Sequence, residues 1–256
     1  IAGDVINMKI NTAYISQANM RADFNKTEDI FYQINLAQRF SAPAAGDPWL
    51  AYQALRIVNP APYSAYLRTS YGSVLSSSPE RFLKVRDGAV ETKPIKGTRP
   101  RAGHPRLDAE RVAELQTSSK DRAENVMIVD LLRNDLGRVC LHESIRVTQL
   151  CQLELYENVQ HLVSVVQGTF KPGGTVVDLL RSAFPGGSIT GAPKVRAMQI
   201  ISELEASQRG PYAGAVGYFS FNGNLDSCIT LRTATLKNGT GGGAPARPPS
   251  SRRGSD

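Results

Sequence analysis

A lysine near the middle of the chain is the first candidate for chemistry. Lys96 lies in the string KPIKGTRPR. A lysine acts as a nucleophile only when it is neutral, which needs partial desolvation or a nearby cation that lowers its pKa. Arg99 and Arg101 are close enough in sequence to supply that cation. The alternative interpretation is an ordinary solvated surface charge, because most lysines are exposed.

Glu80 precedes this lysine by sixteen residues, in the string SSSPERF. The segments FLKV and AVET flank Asp87-Gly88 and predict a β-hairpin, since Asp-Gly accepts the positive φ angles of a tight turn. The hairpin would bring the outer ends of its strands to one edge of the sheet. Glu80 and Lys96 could then face one pocket, with the glutamate exchanging a proton with a departing hydroxyl group. The alternative is a surface ion pair between Glu80 and Arg81 or Lys84.

Carboxylates also follow one face of a predicted helix. Asp121, Glu124 and Asp135 recur at spacings of three to fourteen residues within DRAENVMIVDLLRND, and Mg²⁺ prefers one or two carboxylates with water and substrate oxygens. The same side chains could instead face solvent and pair with Lys120 or Arg122. The helix alone leaves both readings open.

Other polar residues lie beside turns and apolar runs. Arg232 alternates with Leu231 in ITLRTA and could enter a cavity, where arginine matches a carboxylate. The glycine-rich stretch 186–191 leads into a helix and favours an anion at its N–H groups, or is an ordinary turn. No GK[ST] string follows, so it is not a P-loop. His161 lies beside an apolar run, where a core histidine is the plainer interpretation.

Helices and strands must position these residues. The string TSSKDRAENVMIVDLLRNDLGR predicts a helix with N-cap candidates at Thr117, Ser118 and Ser119 and a plausible end at Gly137. A second helix, PKVRAMQIISELE, begins at Pro193. Its predicted core-facing stripe consists of Val195, Met198 and Ile201. GAVGYFSF and LDSCITLRTATL flank Asn222-Gly223-Asn224 and predict another hairpin, so antiparallel sheet accompanies the helices.

Bulk composition excludes several classes of protein. At 256 residues with 41% hydrophobic residues, the chain can bury a core without metal or disulfides. Three cysteines without CxxC spacing argue against a zinc cluster, and we expect a reducing cytoplasm. No apolar run would span a membrane. The net charge of +7 is spread out, so solvated surface is favoured over a nucleic-acid binder.

As ordered strings these motifs are specific. YQINLAQRF, SPERF, PIKGTRPR, DRAENVMIVDLLRNDLGR, QHLVS, FPGGSITGAPKVRAMQII and AGAVGYFSFNGNLDSCITLRTA together resemble the chorismate-utilising enzymes from roughly Tyr32 to Thr235. The resemblance implies an α+β fold, with antiparallel β-sheets packed as a sandwich and helices on the outside. It implies a partial catalytic domain over 1–238, incomplete at its C-terminus. The composition of 239–256 predicts a disordered Gly/Pro/Arg/Ser tail.

Two positions indicate a branch of this family. Lys96 stands where the resemblance implies a nucleophilic lysine in aminodeoxychorismate synthases and an alanine in anthranilate synthases. Gln33 stands where isochorismate and salicylate synthases place a water-activating lysine. The resemblance therefore implies amination of chorismate to 4-amino-4-deoxychorismate, in p-aminobenzoate and folate biosynthesis. Ammonia would come from a glutamine amidotransferase subunit, and neither nucleic acid nor membrane is an expected partner.

Residue roles follow from the same resemblance. Lys96 would attack C2 of the ring while Glu80 assists loss of the C4 hydroxyl group. Glu124 would hold Mg²⁺ against the ring carboxylate. The implied substrate-binding residues are His161, Ser188, Thr190, Tyr218, Arg232 and Gln33.

The end of the chain departs from the family pattern. After Gly243 it has neither a GGGIVADS-like string nor the following helix with a second magnesium glutamate. We therefore expect little aminodeoxychorismate from this chain. Two alternatives stay open: a catalytically inactive, truncated or frame-shifted remnant, and an anthranilate synthase component I.

Overall fold

A computed structural model describes residues 33–42 and 44–237. The predicted tail and both outer bounds of the predicted domain lie outside these residues. The strands are β1 (Gln33–Ile34), β2 (Tyr63–Thr69), β3 (Gly72–Ser78), β4 (Arg81–Arg86), β5 (Ala89–Lys93), β6 (Ile95–Pro100), β7 (Arg146–Leu155), β8 (Val159–Thr169), β9 (Gly191–Ala192), β10 (Ala215–Phe219), β11 (Leu225–Ile229) and β12 (Thr233–Lys237). The helices are α1 (Pro48–Val58), α2 (Pro105–Thr117), α3 (Ser119–Gly137), α4 (Val176–Ala183), α5 (Gly187–Thr190) and α6 (Lys194–Leu204).

Both predicted hairpins are present. Asp87 and Gly88 have φ angles of 49° and 80° and close the turn between β4 and β5. Strands β10 and β11 pair from Phe219↔Leu225 to Ala215↔Ile229. The second predicted strand is shorter than expected, because it ends at Ile229 and resumes at Thr233 in a different sheet.

All strand pairs are antiparallel. A seven-stranded sheet has the order β10-β11-β4-β5-β8-β6, with β7 also paired to β8. A three-stranded sheet has the order β12-β3-β2, and β1 pairs with β9. The α+β fold with antiparallel sheets is therefore confirmed.

A bent ribbon joins the two larger sheets. Strand β3 continues into β4 through residues 79–80, and β11 continues into β12 through residues 230–232. These strands stay neighbours on both sides of the bend, because β11 pairs with β4 and β12 pairs with β3. Hydrogen bonds cross at the bend from the Ile229 N–H to the Glu80 carbonyl and from the Ser77 N–H to the Arg232 carbonyl, each 3.2 Å long.

Helix α3 confirms the clearest helix prediction. The Ser118 hydroxyl caps it by accepting the Asp121 N–H at 3.2 Å. One side of the helix is buried in the core of the seven-stranded sheet, at Ile128, Val129, Leu132 and Leu136. Burying each such side chain contributes about 1.5–3 kcal/mol, so packing against the sheet holds α3 in place.

Helix α6 begins where predicted, but its buried face is different. Val195 is 70% exposed and Met198 is 41% exposed, whereas Ala197 and Ile200 are buried. Of the predicted stripe, only Ile201 faces the core. A Cβ atom added to Gly191 would lie 3.1 Å from that of Ala197. The close approach selects the face that carries the small residue Ala197. No helix in the described residues is long and apolar enough to cross a membrane.

Candidate active site

The Lys96 amine lies between two carbonyl groups. It donates hydrogen bonds to the main-chain oxygen of Ser188 at 3.1 Å and to Oδ1 of Asn35 at 3.4 Å. Burial lowers the pKa of Lys96, although the charges of Glu80 and Glu124 oppose that change. The structure therefore removes this lysine from the solvated surface and favours its neutral form.

Of the two predicted causes of a lowered pKa, desolvation is supported and a nearby arginine is not. Arg99 is occupied by Glu114 at 2.9 Å and Asp121 at 3.2 Å, and Arg101 pairs with Asp108 at 3.5 Å. Neither arginine contributes to the pKa shift of Lys96, which comes from burial. The arginines instead fix β6 against α2 and α3.

Glu80 lies at the first bend of the ribbon, between β3 and β4. It is 4% exposed, and burial raises its pKa to about 7. The Ser188 hydroxyl and the charge of Lys96 oppose the rise. The alternative pairing with Arg81 or Lys84 is not found among the described residues, since Arg81 binds Asp226 and Glu91 at 3.1 Å each.

Burial thus favours the uncharged forms of both Glu80 and Lys96. The charged form of Glu80 raises the pKa of Lys96, and the charged form of Lys96 lowers the pKa of Glu80. Burial therefore favours a neutral amine at Lys96 and a protonated carboxyl group at Glu80. A nucleophile and a general acid need those two protonation states.

His161 has one satisfied ring nitrogen. Its Nδ1 lies 2.8 Å from the Thr98 hydroxyl, whereas Nε2 is buried without a hydrogen-bond partner among the described residues. Burial and then the charge of Arg232 lower the pKa of His161 to about 4. The ring is therefore neutral at pH 7, and the interpretation as a fully satisfied core histidine does not account for Nε2.

The glycine-rich stretch 186–191 forms the short helix α5 and the turn after it. Thr190 donates its hydroxyl proton to the Gly186 carbonyl at 2.9 Å. The Ser188 hydroxyl is close enough to lower the pKa of Glu80, but it forms no hydrogen bond of ordinary geometry with the described residues. Gly191 has a φ of 140°, and an added Cβ would collide with the Gln33 carbonyl. Only glycine permits that approach.

Strand β1 and the residue that follows it carry two amide side chains, Gln33 and Asn35. Gln33 pairs with Ala192 in the β1–β9 ladder, and its Oε1 is buried without a partner among the described residues. Asn35, which contacts Lys96, was not among the residues predicted from the sequence. Side chains two residues apart on a strand point to the same side, so the spacing from Gln33 is the signal that would have found it. Thr98, the partner of His161, was also missed.

Arg232 lies at the second bend of the ribbon. The expectation that it alternates within a strand is wrong, because residues 230–232 join two sheets and Arg232 has a φ of 47°. Its Nη1 donates to Asn59 Oδ1 at 3.0 Å, and its charge reaches His161. Tyr218 is 60% exposed on β10. Among the described residues, no hydrogen bond or ring contact joins Tyr218 to the other candidates.

The carboxylates on the predicted acidic face of α3 have different partners. Asp121 binds Arg99, and Asp135 binds Lys194 at 2.6 Å, so the suggested pairing with Lys120 or Arg122 does not describe these two carboxylates. Glu124 is half-buried, and its charge acts on Lys96. No group of three or more metal-ligating side chains occurs in the described part of the chain. A single carboxylate beside the amine still fits Mg²⁺, which takes its remaining oxygens from water and substrate.

Comparisons with known proteins give one family. Residues 17–244 match the model for "chorismate binding enzyme". Aminodeoxychorismate synthase component 1 of Klebsiella aerogenes is 54% identical over 208 residues, which cover 81% of this chain and 46% of that protein. Anthranilate synthase component 1 of Bacillus subtilis is 43% identical over 228 residues, with coverages of 89% and 44%.

A solved structure agrees with these sequences. Anthranilate synthase component I from Streptococcus pneumoniae TIGR4 superposes with a TM-score of 0.69 at 40% identity, covering 76% of this chain and 42% of that one. The chain spans about half the length of the curated relatives that it matches.

Proposed function

We propose, because the chain belongs to the family of chorismate binding enzymes, that it carries the active site of an aminodeoxychorismate synthase. The reaction would convert chorismate and ammonia to 4-amino-4-deoxychorismate, for p-aminobenzoate and folate synthesis in the cytoplasm. The observation that carries this proposal is Lys96, a half-buried amine that lies close enough to the buried Glu80 carboxyl group for each to affect the pKa of the other. The catalytic domain would extend over residues 1–238.

The first chemical step would be attack by the amine. The nitrogen of neutral Lys96 forms a bond to C2 of the ring, the ring double bond shifts, and the C4–O bond breaks. The departing hydroxide takes the proton of Glu80 and leaves as water. Protonation matters because hydroxide alone is a poor leaving group, and a positioned acid contributes about 10²–10⁴-fold.

The second step would reverse the path with a different nucleophile. Ammonia bonds to C4, the double bond shifts back, and the C2–N bond breaks to return the neutral amine of Lys96. The ionised carboxylate of Glu80 then accepts a proton from the new C4 ammonium group. The cycle consumes chorismate and ammonia and releases the product and water, so both residues regain their initial forms.

Other candidates would bind the substrate. Nε2 of His161 and the Ser188 hydroxyl are buried atoms without partners in the described structure, and we place them against the ring. Arg232 would bind the enolpyruvyl carboxylate together with Tyr218. Gln33 and Thr190 would line the same pocket.

Glu124 would hold Mg²⁺ together with the ring carboxylate of chorismate. The ion would supply positive charge that offsets the substrate carboxylate. The carboxylate of Glu124 would anchor this charge beside the amine. Ammonia would come from a glutamine amidotransferase subunit; the K. aerogenes relative is named as a component 1.

Mass spectrometry tests the covalent step directly. We expect the chain, incubated with chorismate and Mg²⁺ but no ammonia, to gain the mass of chorismate minus water on the peptide that contains Lys96. Ammonium should then release 4-amino-4-deoxychorismate from the adduct in a single turnover, even though little product is expected from this chain over many turnovers. Lys96→Ala should remove the adduct, and Lys120→Ala, at an exposed lysine, should keep it.

Two outcomes would contradict the proposal. One is undiminished product formation by Lys96→Ala. The other is release of anthranilate and pyruvate in place of the aminated product. The second candidate function rests on the 43% identity to anthranilate synthase component 1 of B. subtilis, and this product analysis separates the two.

A further inference from the structure

In the side-chain amide of Asn35, the oxygen has a hydrogen-bond partner but the nitrogen does not, among the described residues. Its Oδ1 accepts a hydrogen bond from the Lys96 amine at 3.4 Å, and its Nδ2 is buried with no partner among the described residues. The only other acceptor of the Lys96 amine in the described residues is the Ser188 carbonyl at 3.1 Å. The amine therefore meets two acceptors, and both are uncharged.

The number of acceptors matches one protonation state of the amine. An ammonium group has three N–H donors, whereas a neutral primary amine has two and a lone pair. We propose that Asn35 is a positioning residue, which together with the Ser188 carbonyl takes both N–H groups of neutral Lys96 and leaves the lone pair for the substrate. This inference rests on the proposed function, in which Lys96 is the nucleophile.

A half-buried arginine binds the main chain next to both acceptors. Arg209 donates to the main-chain oxygen of Asn35 at 2.6 Å and to that of Ile189, the neighbour of Ser188, at 2.7 Å. Glu205 binds this guanidinium at 2.5 Å and also accepts the Ala37 N–H at 2.8 Å. Because the guanidinium is planar and rigid, it fixes the spacing between the segments that carry the two acceptors.

The uncharged character of Asn35 is central to this role. The charged groups that face Lys96 are Glu80 and Glu124, from the ribbon bend and from α3, and both raise its pKa. A third carboxylate at position 35 would keep the hydrogen bond but favour the ammonium form. An amide accepts the same N–H without that penalty.

Chemical labelling tests the contact without chorismate. The full chain and its Asn35→Asp variant are treated with a trace of acetic anhydride at pH 8, and acetylation of Lys96 is measured by peptide mass spectrometry against exposed Lys120. We expect Lys96 labelling to fall about tenfold for each unit by which the new carboxylate raises its pKa. Asn158→Asp, the same change at an exposed position, should leave the labelling unchanged. Equal labelling of Lys96 in the wild type and Asn35→Asp would overturn the inference.

A second measurement separates positioning from folding. For Asn35→Leu, we expect adduct formation at saturating chorismate to slow by about 10–100-fold, with less than about a threefold change in the half-saturating concentration. A purely structural role would instead lower the melting temperature and leave the rate of the folded fraction unchanged. That result would contradict the assignment.

The two proposals fail in different ways. Full adduct formation by Lys96→Ala would end the proposed function, whatever Asn35 does. Loss of the adduct in Lys96→Ala, together with wild-type behaviour of both Asn35 variants, would end only the present inference. If no variant forms an adduct, the acetylation rates alone decide whether Asn35 controls the amine.

Discussion

Lys96 and Lys194 are both half-buried with pKa values lowered by burial, and the structure holds them differently. Lys194 binds the carboxylate of Asp135 at 2.6 Å and the Ala183 carbonyl at 2.7 Å. Lys96 binds two carbonyl groups and, within the described residues, forms no salt bridge. A direct counter-ion stabilises a buried charge, whereas neutral acceptors leave the amine free to lose its proton.

The surroundings of the two lysines reflect that difference. The Lys194–Asp135 pair ties the first residue of α6 to α3 and to the end of α4. It thereby fixes both ends of the glycine-rich stretch whose Ser188 carbonyl contacts Lys96. The paired lysine is a structural residue, and the unpaired one is available for chemistry.

The largest expected effect is on the reaction at Lys96. Lys96→Met should reduce adduct formation by on the order of 10³-fold or more, as loss of a nucleophile does. The free energy of unfolding should stay constant or rise, since an incompletely compensated buried amine is removed. Urea denaturation and intact-protein mass spectrometry check both parts. A large loss of stability would show that the two lysines do not differ as described.

Lys194→Met is the matched experiment. It leaves the buried Asp135 carboxylate without its partner, so we expect the free energy of unfolding to fall by about 3–5 kcal/mol. Urea denaturation measures the change. A variant as stable as the wild type would contradict a structural role for this pair.

Glu80 should make stability depend on pH. Its pKa of about 7 lies above its ordinary 4.5. The contribution of Glu80 to stability is therefore fully present below pH 4.5 and is lost as the pH rises through 7. Glu80→Gln should therefore gain stability relative to wild type between pH 4.5 and 8, by up to about 3 kcal/mol. Adduct formation by the wild type should also decline above pH 7. Parallel stability curves for wild type and Glu80→Gln would contradict this.

We expect the smallest effect from His161, on the stability of the protein at acid pH. Its folded pKa of about 4 lies below the ordinary 6.5, so stability is fully present above pH 6.5 and is lost as pH falls toward 4. As the pH falls from 7 to 5.5, the free energy of unfolding of His161→Gln should decrease by about 1 kcal/mol less than that of the wild type. Thermal denaturation at the two pH values measures this difference. Equal losses would indicate that the ring is solvated.

Features with local causes could be predicted from the sequence. The Asp87-Gly88 turn and the cap among Thr117, Ser118 and Ser119 depend on neighbouring residues. The hairpin suggests that Glu80 and Lys96 meet, and in the structure the charge of Glu80 acts on the pKa of Lys96. The hydrogen-bond acceptors of the Lys96 amine could not be predicted, because Asn35 lies 61 residues away from Lys96 in the sequence. Arg209 reaches the main chain of Asn35 across 174 residues.

Two errors have the same physical origin. The exposed face of α6 was mistaken for its buried face, because the close approach to Gly191 is a tertiary constraint that periodicity does not encode. The suggestion that Arg99 lowers the pKa of Lys96 is wrong, because Arg99 is paired with Glu114 and Asp121. In both cases, contacts from distant segments outweighed the chemistry of sequence neighbours.

The bent ribbon has a geometric consequence. Glu80 lies at one of its two bends and Arg232 at the other, so a proton donor and a guanidinium occupy adjacent corners of the same crease. The geometry of the bend therefore sets the separation between these two side chains. An insertion of one residue at either corner would shift one side chain relative to the other, while the ladders on both sides of the crease could keep their pairing.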